Sequence, residues 1–284
     1  MDRLLFKRNN ADDIVTIFFQ GIGAMRSQAV RYAGPYWVQV GGKHHYLTGM
    51  PFTDLNAPYL LYNIWQYDEL EDVSYDNSCN PIHWVFKLRQ GIIHLWYGIY
   101  APYMAHPIIS NVNVAGPRDV SQHQRAVNDC IQGNPFKRIV LFGTSRGAAT
   151  TLISVATMSR AAQKEIKLVI LEAPFDRIEN VTWRVTRWIL ECFTAFRSSQ
   201  LSPIEAVAWF PLDVPVAFIT SAADIRVPSY TTMTLIRALE KRGHQHIHHL
   251  ELTNASHSEM PVGDGVDQHK YKAFLEGLYD LYIN

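Results

Sequence analysis

The sequence predicts a single α/β domain over residues 1–284, with a mostly parallel central sheet flanked by helices. Short apolar runs alternate with helical stretches along the chain, and this alternation is clearest after residue 108. The 284 residues, of which 48 % are hydrophobic, suffice to bury a full core, and one sheet in a chain of this length is ordinary.

Six runs predict strands, five of them mostly apolar, and five stretches with helical spacing predict helices. The predicted strands cover residues 14–19, 108–114, 138–142, 167–171, 215–221 and 246–252. The predicted helices cover residues 121–132, 148–160, 180–196, 230–242 and 268–281. Residues 34–46 fit either a strand pair or an irregular excursion, and the pattern does not choose between them.

Two segments between the predicted strands are candidates for the cover of a site. Residues 45–106 are rich in Tyr and Trp and are predicted to be an insertion with two helices. Residues 175–212 carry Trp183, Trp188 and Trp209 and are predicted to form a cap or lid. Aromatic residues at helical spacing are also typical of a core, so the lid and core interpretations both stay open.

Composition and charge indicate which kinds of binding partner and which cellular location to expect. The formal net charge is zero, from 26 basic and 26 acidic residues, so no basic surface predicts a nucleic-acid partner. The first ten residues are polar and charged, and the uncharged stretch 90–117 contains prolines, histidines and asparagines. We therefore expect neither a secretory signal nor a membrane span, with surface membrane contact as the minor alternative. The three cysteines fit no disulfide framework, so a cytoplasmic location is expected, with non-classical secretion as the alternative.

The chemistry is concentrated first in residues 143–147, which read Gly-Thr-Ser-Arg-Gly. This G-x-S-x-G pattern directly follows the apolar run 139–142 and directly precedes the small residues that begin a predicted helix. A serine on such a tight strand-to-helix turn has a strained backbone, and Gly143 and Gly147 allow the strand and helix to approach closely. The pattern predicts Ser145 as a nucleophile, against the alternative of a chance match.

A serine hydroxyl needs a base, and the base needs an orienting acid. Asp224 directly follows the predicted strand 215–221, where the loops of a parallel sheet form sites, and its alternative role is a turn residue that caps a helix. His257 follows the last predicted strand and is the candidate base, with an exposed loop histidine as the alternative. The chain order serine, acid, histidine is the one that accompanies this nucleophile motif.

An oxyanion hole needs two N–H donors. The first predicted donor is the backbone N–H of Arg146, at the N-terminus of the helix after Ser145. The second is predicted at Ile22 or Gly23, in the loop after the strand 14–19, although a plain tight turn fits this loop as well. The Arg146 side chain fits either contact with a substrate carboxylate or an ion pair with an acid on the surface.

These residues resemble the α/β-hydrolase superfamily, and within it the esterase and peptidase branch of prolyl-oligopeptidase-like and dienelactone-hydrolase-like enzymes. The resemblance rests on five segments: Gln20–Gly23, Gly143–Gly147, Ser202–Ile204, Asp224–Pro228 and Ser256–Ser258. It covers residues 108–284 and 12–26, whereas residues 27–107 match nothing in the family. It implies the α/β-hydrolase fold, with Ser145, Asp224 and His257 as nucleophile, acid and base.

The chain departs from the pattern of this family at two points. The oxyanion loop usually begins with His-Gly, and here it begins with Gln20-Gly21. A His-Gly pair usually follows the strand before the acid, and here Ser221-Ala222 stands in its place. Neither change removes a predicted catalytic group.

The predicted function is that of a serine esterase, which cleaves a small-molecule ester or acyl substrate through an acyl-enzyme and uses no cofactor. A serine peptidase or a thioesterase would use the same triad, so both alternatives stay open. A non-catalytic hydrolase-like binding protein is the alternative from another class, and it would be expected to lack a triad member. No metal is predicted, because the run His244, His246, His248 and His249 has no Cys or carboxylate at ligand spacing.

Overall fold

The structure is a computed structural model that describes residues 14–19, 21, 44–48, 115–133, 138–182, 184, 187–188, 200–257, 260–262 and 265–283. The predicted strand 108–114 and most of the predicted insertion 45–106 lie outside these residues. Much of the predicted lid, including Trp183 and residues 189–199, lies outside them as well. The insertion and the lid therefore remain predictions.

Six parallel strands form one sheet in the described part of the chain. They are β1 (Ile14–Phe19), β2 (His44–Thr48), β3 (Arg138–Thr144), β4 (Ile166–Glu172), β5 (Val216–Ser221) and β6 (Ile247–Leu252). Their order across the sheet is β2-β1-β3-β4-β5-β6, and every neighbouring pair is parallel. The predicted fold class, a mostly parallel sheet flanked by helices, is confirmed.

Six helices accompany these strands in the described ranges. They are α1 (Pro117–Gly133), α2 (Arg146–Thr157), α3 (Arg160–Glu165), α4 (Pro203–Ala206), α5 (Ser229–Lys241) and α6 (Gly265–Tyr282). Short 3₁₀ turns cover Ile178–Asn180, Val207–Trp209 and Met260–Val262. None of the helices within the described ranges is long and apolar enough to cross a membrane.

The prediction of one helix over residues 148–160 is wrong. The structure has two helices there, because α2 ends at Thr157 and Met158 adopts an extended conformation. Ser159 is also extended, and its hydroxyl accepts a hydrogen bond from the N–H of Ala162 at 3.3 Å, which caps the start of α3. The spacing of apolar residues, on which the prediction rests, does not indicate this cap or the break between the two helices.

The sequence pattern over residues 34–46 fits either a strand pair or an irregular excursion and does not predict strand β2. The structure places residues 44–48 in the sheet, parallel to β1, at the edge opposite β6. Most of this strand overlaps the first residues of the predicted insertion. The N-terminal half of the chain therefore contributes one more strand to the sheet than the pattern indicated.

The helices cover both faces of the sheet. Phe19 of β1 stacks on His123 of α1, with 3.6 Å between ring centroids, whereas Thr16 of the same strand hydrogen-bonds to Tyr279 of α6 at 3.2 Å. Side chains alternate between faces along a strand, so α1 and α6 lie on opposite faces. Helix α2 packs beside α1, where the hydroxyl of Thr151 lies 3.4 Å from Nδ1 of His123.

Strands β3 and β4 form the centre of the core between these helix layers. Ile139 to Thr144 are all buried, and so is every residue of β4 except Lys167. Burial on both faces is typical of central parallel strands and explains why these runs are continuously apolar rather than alternating. The rigid centre of the sheet thus ends directly at Ser145.

We predict that Gly143→Ala destabilises the protein strongly. A Cβ at this position would lie 2.6 Å from Cα and 2.7 Å from the backbone N of Ala148, so strand β3 and helix α2 would have to separate. We expect the free energy of unfolding, measured with urea, to fall by at least about 2 kcal/mol.

Gly277→Ala is the matched control for this substitution. Gly277 is exposed in α6, and nothing lies within 4 Å of the position of its added Cβ. Alanine there is expected to raise the free energy of unfolding by about 0.5–1 kcal/mol, because it restricts the unfolded chain. Equal effects of the two substitutions would contradict the close strand–helix packing at Gly143.

Candidate active site

Three loops meet at the carboxyl end of the sheet, where ligands bind in open α/β folds. Ser145 follows β3, Asp224 follows β5 and His257 follows β6. The first two loops are separated in the sheet by β4, yet the structure brings all three side chains together. The residues that the sequence predicted as nucleophile, acid and base are therefore neighbours in space.

The backbone of Ser145 has the conformation expected for a tight strand-to-helix turn. Its φ is 51° and its ψ is −117°, in a region that non-glycine residues rarely adopt. The Ser145 N–H donates to the carbonyl of Glu172 on β4 at 2.7 Å, and the Ser145 carbonyl accepts from the N–H of Ala149 at 3.0 Å. The turn is thus held between the sheet and the first turn of α2.

A chain of two hydrogen bonds joins the three side chains. Oγ of Ser145 lies 3.1 Å from Nε2 of His257, and Nδ1 of His257 lies 2.7 Å from Oδ2 of Asp224. A carboxylate can only accept, so Nδ1 carries the proton of the neutral ring and Nε2 has a free lone pair. This tautomer allows Nε2 to accept the proton of the Ser145 hydroxyl.

Asp224 is the most deeply buried member of the three. Its side chain is 0 % exposed, whereas the His257 side chain is 10 % exposed, and Ser145 lies partly at the surface. Oδ1 of Asp224 also accepts the backbone N–H groups of Arg226 and Val227, each at 2.9 Å. These bonds satisfy the buried carboxylate and fix the direction in which Oδ2 faces His257.

The predicted oxyanion hole is described in part. Gly21 is buried at the end of β1, and a Cβ there would lie 3.3 Å from Cβ of Ser145, so this loop begins beside the serine. Ile22 and Gly23 lie outside the described residues. Arg146 is the first residue of α2, directly after the N-cap residue Ser145, so its N–H is one of the free donors at the N-terminal end of this helix.

The side chain of Arg146 does not lie where either sequence interpretation placed it. It is 1 % exposed, and its Nη1 lies 3.8 Å from Oδ2 of Asp119, which is itself buried in the first turn of α1. This burial excludes contact with a substrate carboxylate and also a surface ion pair. Arg146 lies within the G-x-S-x-G motif, where no apolar periodicity indicates whether a side chain points inward.

Asp119 has an environment that the sequence did not indicate. Burial raises the pKa of its carboxyl to about 6, and this rise is opposed by the positive charge of Arg146 and by the hydrogen bond from the Ala115 N–H. His123, one turn further along α1, is fully buried, and its pKa is held well below the usual value by burial and by Arg146. A cluster of buried polar groups therefore lies under the Ser145 turn.

Three of the four histidines in the run on and before β6 hydrogen-bond within the protein through their rings. Nε2 of His244 lies 3.0 Å from the Val214 carbonyl, and Nε2 of His249 lies 2.9 Å from the Thr220 hydroxyl. Nε2 of His248 lies 2.6 Å from the Tyr282 hydroxyl. No group of three or more metal-binding side chains occurs among the residues that the structure covers.

The chain was compared with known proteins in sequence and in structure. No protein-family model and no curated protein matches its sequence. In structure it resembles the esterase Pf2001 of Pyrococcus furiosus, with a TM-score of 0.58 and 12 % identity, over 96 % of this chain and 84 % of that one.

Two further proteins of known structure have the same architecture. A thermophilic esterase of Thermogutta terrifontis, solved with propionate bound, matches with a TM-score of 0.56 and 16 % identity, over 96 % of this chain and 85 % of that one. The same esterase has also been solved phosphorylated by paraoxon. A predicted dienelactone hydrolase of Klebsiella pneumoniae matches with a TM-score of 0.53 and 14 % identity, over 96 % and 90 % of the two chains. The chain has the fold of these hydrolases.

We predict that Arg146→Met makes stability depend more steeply on pH between pH 6 and 8. Without the positive charge, the pKa of Asp119 in the folded protein rises above about 6, while in the unfolded chain it is near 3.8. The stability due to the protonated carboxyl is then lost at higher pH than in the wild type. The unfolding free energy of Arg146→Met should therefore fall further below that of the wild type as the pH rises, by about 1–2 kcal/mol between pH 6 and 8.

Urea unfolding at several pH values measures this deficit. Arg160→Met is the control, because Arg160 pairs with Asp213 at 2.9 Å where both side chains are more than half exposed. Its difference from wild type should stay constant with pH. A constant difference for Arg146→Met as well would show that Arg146 does not govern the ionisation of Asp119.

Proposed function

We propose that this protein is a serine hydrolase that cleaves a carboxylic ester through an acyl-enzyme. The observation that carries the proposal is the chain of hydrogen bonds from Ser145 through His257 to Asp224, at 3.1 and 2.7 Å. These distances lie within the range over which a base activates a nucleophile and an acid orients the base. The fold shared with known esterases agrees with the proposal.

The first half of the proposed reaction forms the acyl-enzyme. Oγ of Ser145 attacks the ester carbonyl carbon, and Nε2 of His257 accepts the hydroxyl proton. The negative charge that develops on the carbonyl oxygen is stabilised by the N–H of Arg146 and by an N–H from Ile22 or Gly23. His257 then gives its proton to the alcohol oxygen as the C–O bond breaks, and the alcohol leaves.

The second half releases the acid. His257 removes a proton from water as the water oxygen attacks the acyl carbon, and the proton returns to Oγ of Ser145 when the carboxylic acid departs. Asp224 stays ionised throughout and stabilises the positively charged ring of His257. The complete burial of the Asp224 side chain strengthens this stabilisation, because water screens the charge little there.

A short acyl chain is the first substrate class to test. The Thermogutta terrifontis esterase was solved with propionate bound, and the chain shares its fold. A panel of p-nitrophenyl esters from acetate upward would give the preferred chain length, and matched peptide and thioester substrates would separate an esterase from a peptidase or a thioesterase. We expect the esters to be cleaved with the highest kcat/KM.

We predict that Ser145→Ala abolishes both ester hydrolysis and labelling by a fluorophosphonate probe. The substitution removes the only atom that forms the acyl bond, so kcat should fall by at least about 10⁴-fold. Ser229→Ala is the control, because Ser229 begins α5 outside the cluster of three side chains, and it should label and turn over like the wild type. A well-folded wild type that is not labelled would contradict the proposal and favour a binding protein.

We predict that Asp224→Asn lowers kcat by about 10³- to 10⁴-fold without unfolding the protein. An amide NH₂ facing His257 would favour the tautomer that carries the proton on Nε2, and this nitrogen could then no longer accept the proton of Ser145. Steady-state kinetics with p-nitrophenyl acetate, with folding checked by circular dichroism, measures the effect. A variant with nearly full activity would remove Asp224 from the proposed role.

A further inference from the structure

The loop that carries His257 is held by one buried carboxylate. Asp267 lies in the first turn of α6 and is 0 % exposed. Its Oδ2 accepts the N–H groups of Thr253, Asn254 and Ala255 at 3.1, 2.7 and 2.9 Å, and its Oδ1 accepts Thr253 at 3.0 Å. Three consecutive N–H groups thus converge on a single side chain directly before His257.

These contacts favour the ionised form of Asp267. Burial by itself would raise the pKa of the carboxyl, but the three N–H groups, together with the charge of Lys270, hold the pKa below its usual value. Hydrogen bonds to an ionised group are about twice as strong as neutral ones. The start of the loop is therefore fixed to the N-terminal end of α6.

The hydroxyl of Ser221 fixes the other side of the same loop. Ser221 ends β5 and is 1 % exposed. Its hydroxyl donates to the carbonyl of Ala255 at 2.5 Å and accepts from the N–H of Ala223 at 3.2 Å. One hydroxyl thus connects the loop of Asp224 to the loop of His257.

We propose that Asp267 and Ser221 are positioning residues, which hold the His257 loop against the Asp224 loop and so keep Nδ1 of His257 on Oδ2 of Asp224. The N–H and the carbonyl of Ala255, two residues before His257, are bonded to Asp267 and Ser221 respectively. Both side chains thus act on the backbone of the loop that carries His257. This proposal rests on the proposed function only for its effect on the rate.

A shift of the His257 loop would change the reaction before it changed substrate binding. A displacement of about 1 Å in a catalytic group can lower the rate about 100-fold. We therefore expect Asp267→Ala to lower kcat by about 10- to 100-fold with KM nearly unchanged, and Asp267→Asn to have a smaller effect. Ser221→Ala removes one loop contact and is expected to lower kcat by about 3- to 10-fold.

The experiment combines these kinetics with a direct measurement on His257. In the ¹⁵N-labelled protein, nitrogen chemical shifts give the fraction of His257 that carries its proton on Nδ1, and the resonance is assigned by its absence in His257→Gln. We expect the Nδ1–H form in the wild type and a mixture with the Nε2–H form in Asp267→Ala. Glu276→Gln is the control, because Glu276 lies on the same helix and pairs only loosely with Lys272 at 3.8 Å, with both side chains about 40 % exposed.

The outcomes separate this proposal from the proposed function. A shifted tautomer and a lower kcat in folded Asp267→Ala, with Glu276→Gln like the wild type, would support the positioning role. An unchanged tautomer in folded Asp267→Ala and Asp267→Asn would overturn it, whatever the activity. A shifted tautomer in a protein that cleaves no ester and takes no fluorophosphonate would support the positioning role and contradict the serine hydrolase.

Discussion

The hydrogen bond between the buried carboxylate of Asp224 and Nδ1 of His257 is the contact on which the proposed chemistry depends. A carboxylate removed from water is costly unless its oxygens are hydrogen-bonded. Here Oδ1 accepts two backbone N–H groups and Oδ2 accepts the imidazole. The same bond decides which ring nitrogen is protonated, and hence whether Nε2 can accept from Ser145. This one hydrogen bond therefore satisfies an oxygen of the buried carboxylate and also keeps the His257 proton on Nδ1.

Two more buried carboxylates lie beside the loops of Ser145 and His257. Asp119 on α1 lies under the Ser145 turn and faces Arg146, and Asp267 on α6 holds the loop before His257. Both side chains are almost fully buried. The absence of a side chain at Gly143 allows β3 to pack directly against the start of α2, since a Cβ there would lie 2.6 Å from Cα of Ala148. The strained turn of Ser145 can persist because its surroundings are fixed in this way.

The sequence revealed the parts of this arrangement that depend on local pattern. Strand β1 has the predicted bounds, and Ser145, Asp224 and His257 follow their strands as expected. The strands before Ser145 and Asp224 were recognisable because buried parallel strands read as apolar runs. The inward direction of the Arg146 side chain was missed because burial of a charged residue depends on a partner 27 positions away, Asp119. Asp267 was missed for a similar reason, since the N–H groups it binds lie 12 to 14 residues earlier in the chain.

The central claim is that Oγ of Ser145 becomes covalently acylated during the reaction, and mass spectrometry tests it most directly. The protein is mixed with p-nitrophenyl acetate, quenched in acid within the first turnover and digested. The account predicts one acetyl group per chain, on the peptide that contains Ser145, with none in Ser145→Ala. Release of p-nitrophenol with the acetyl group on another residue, or with no acetylated peptide at all, would contradict it.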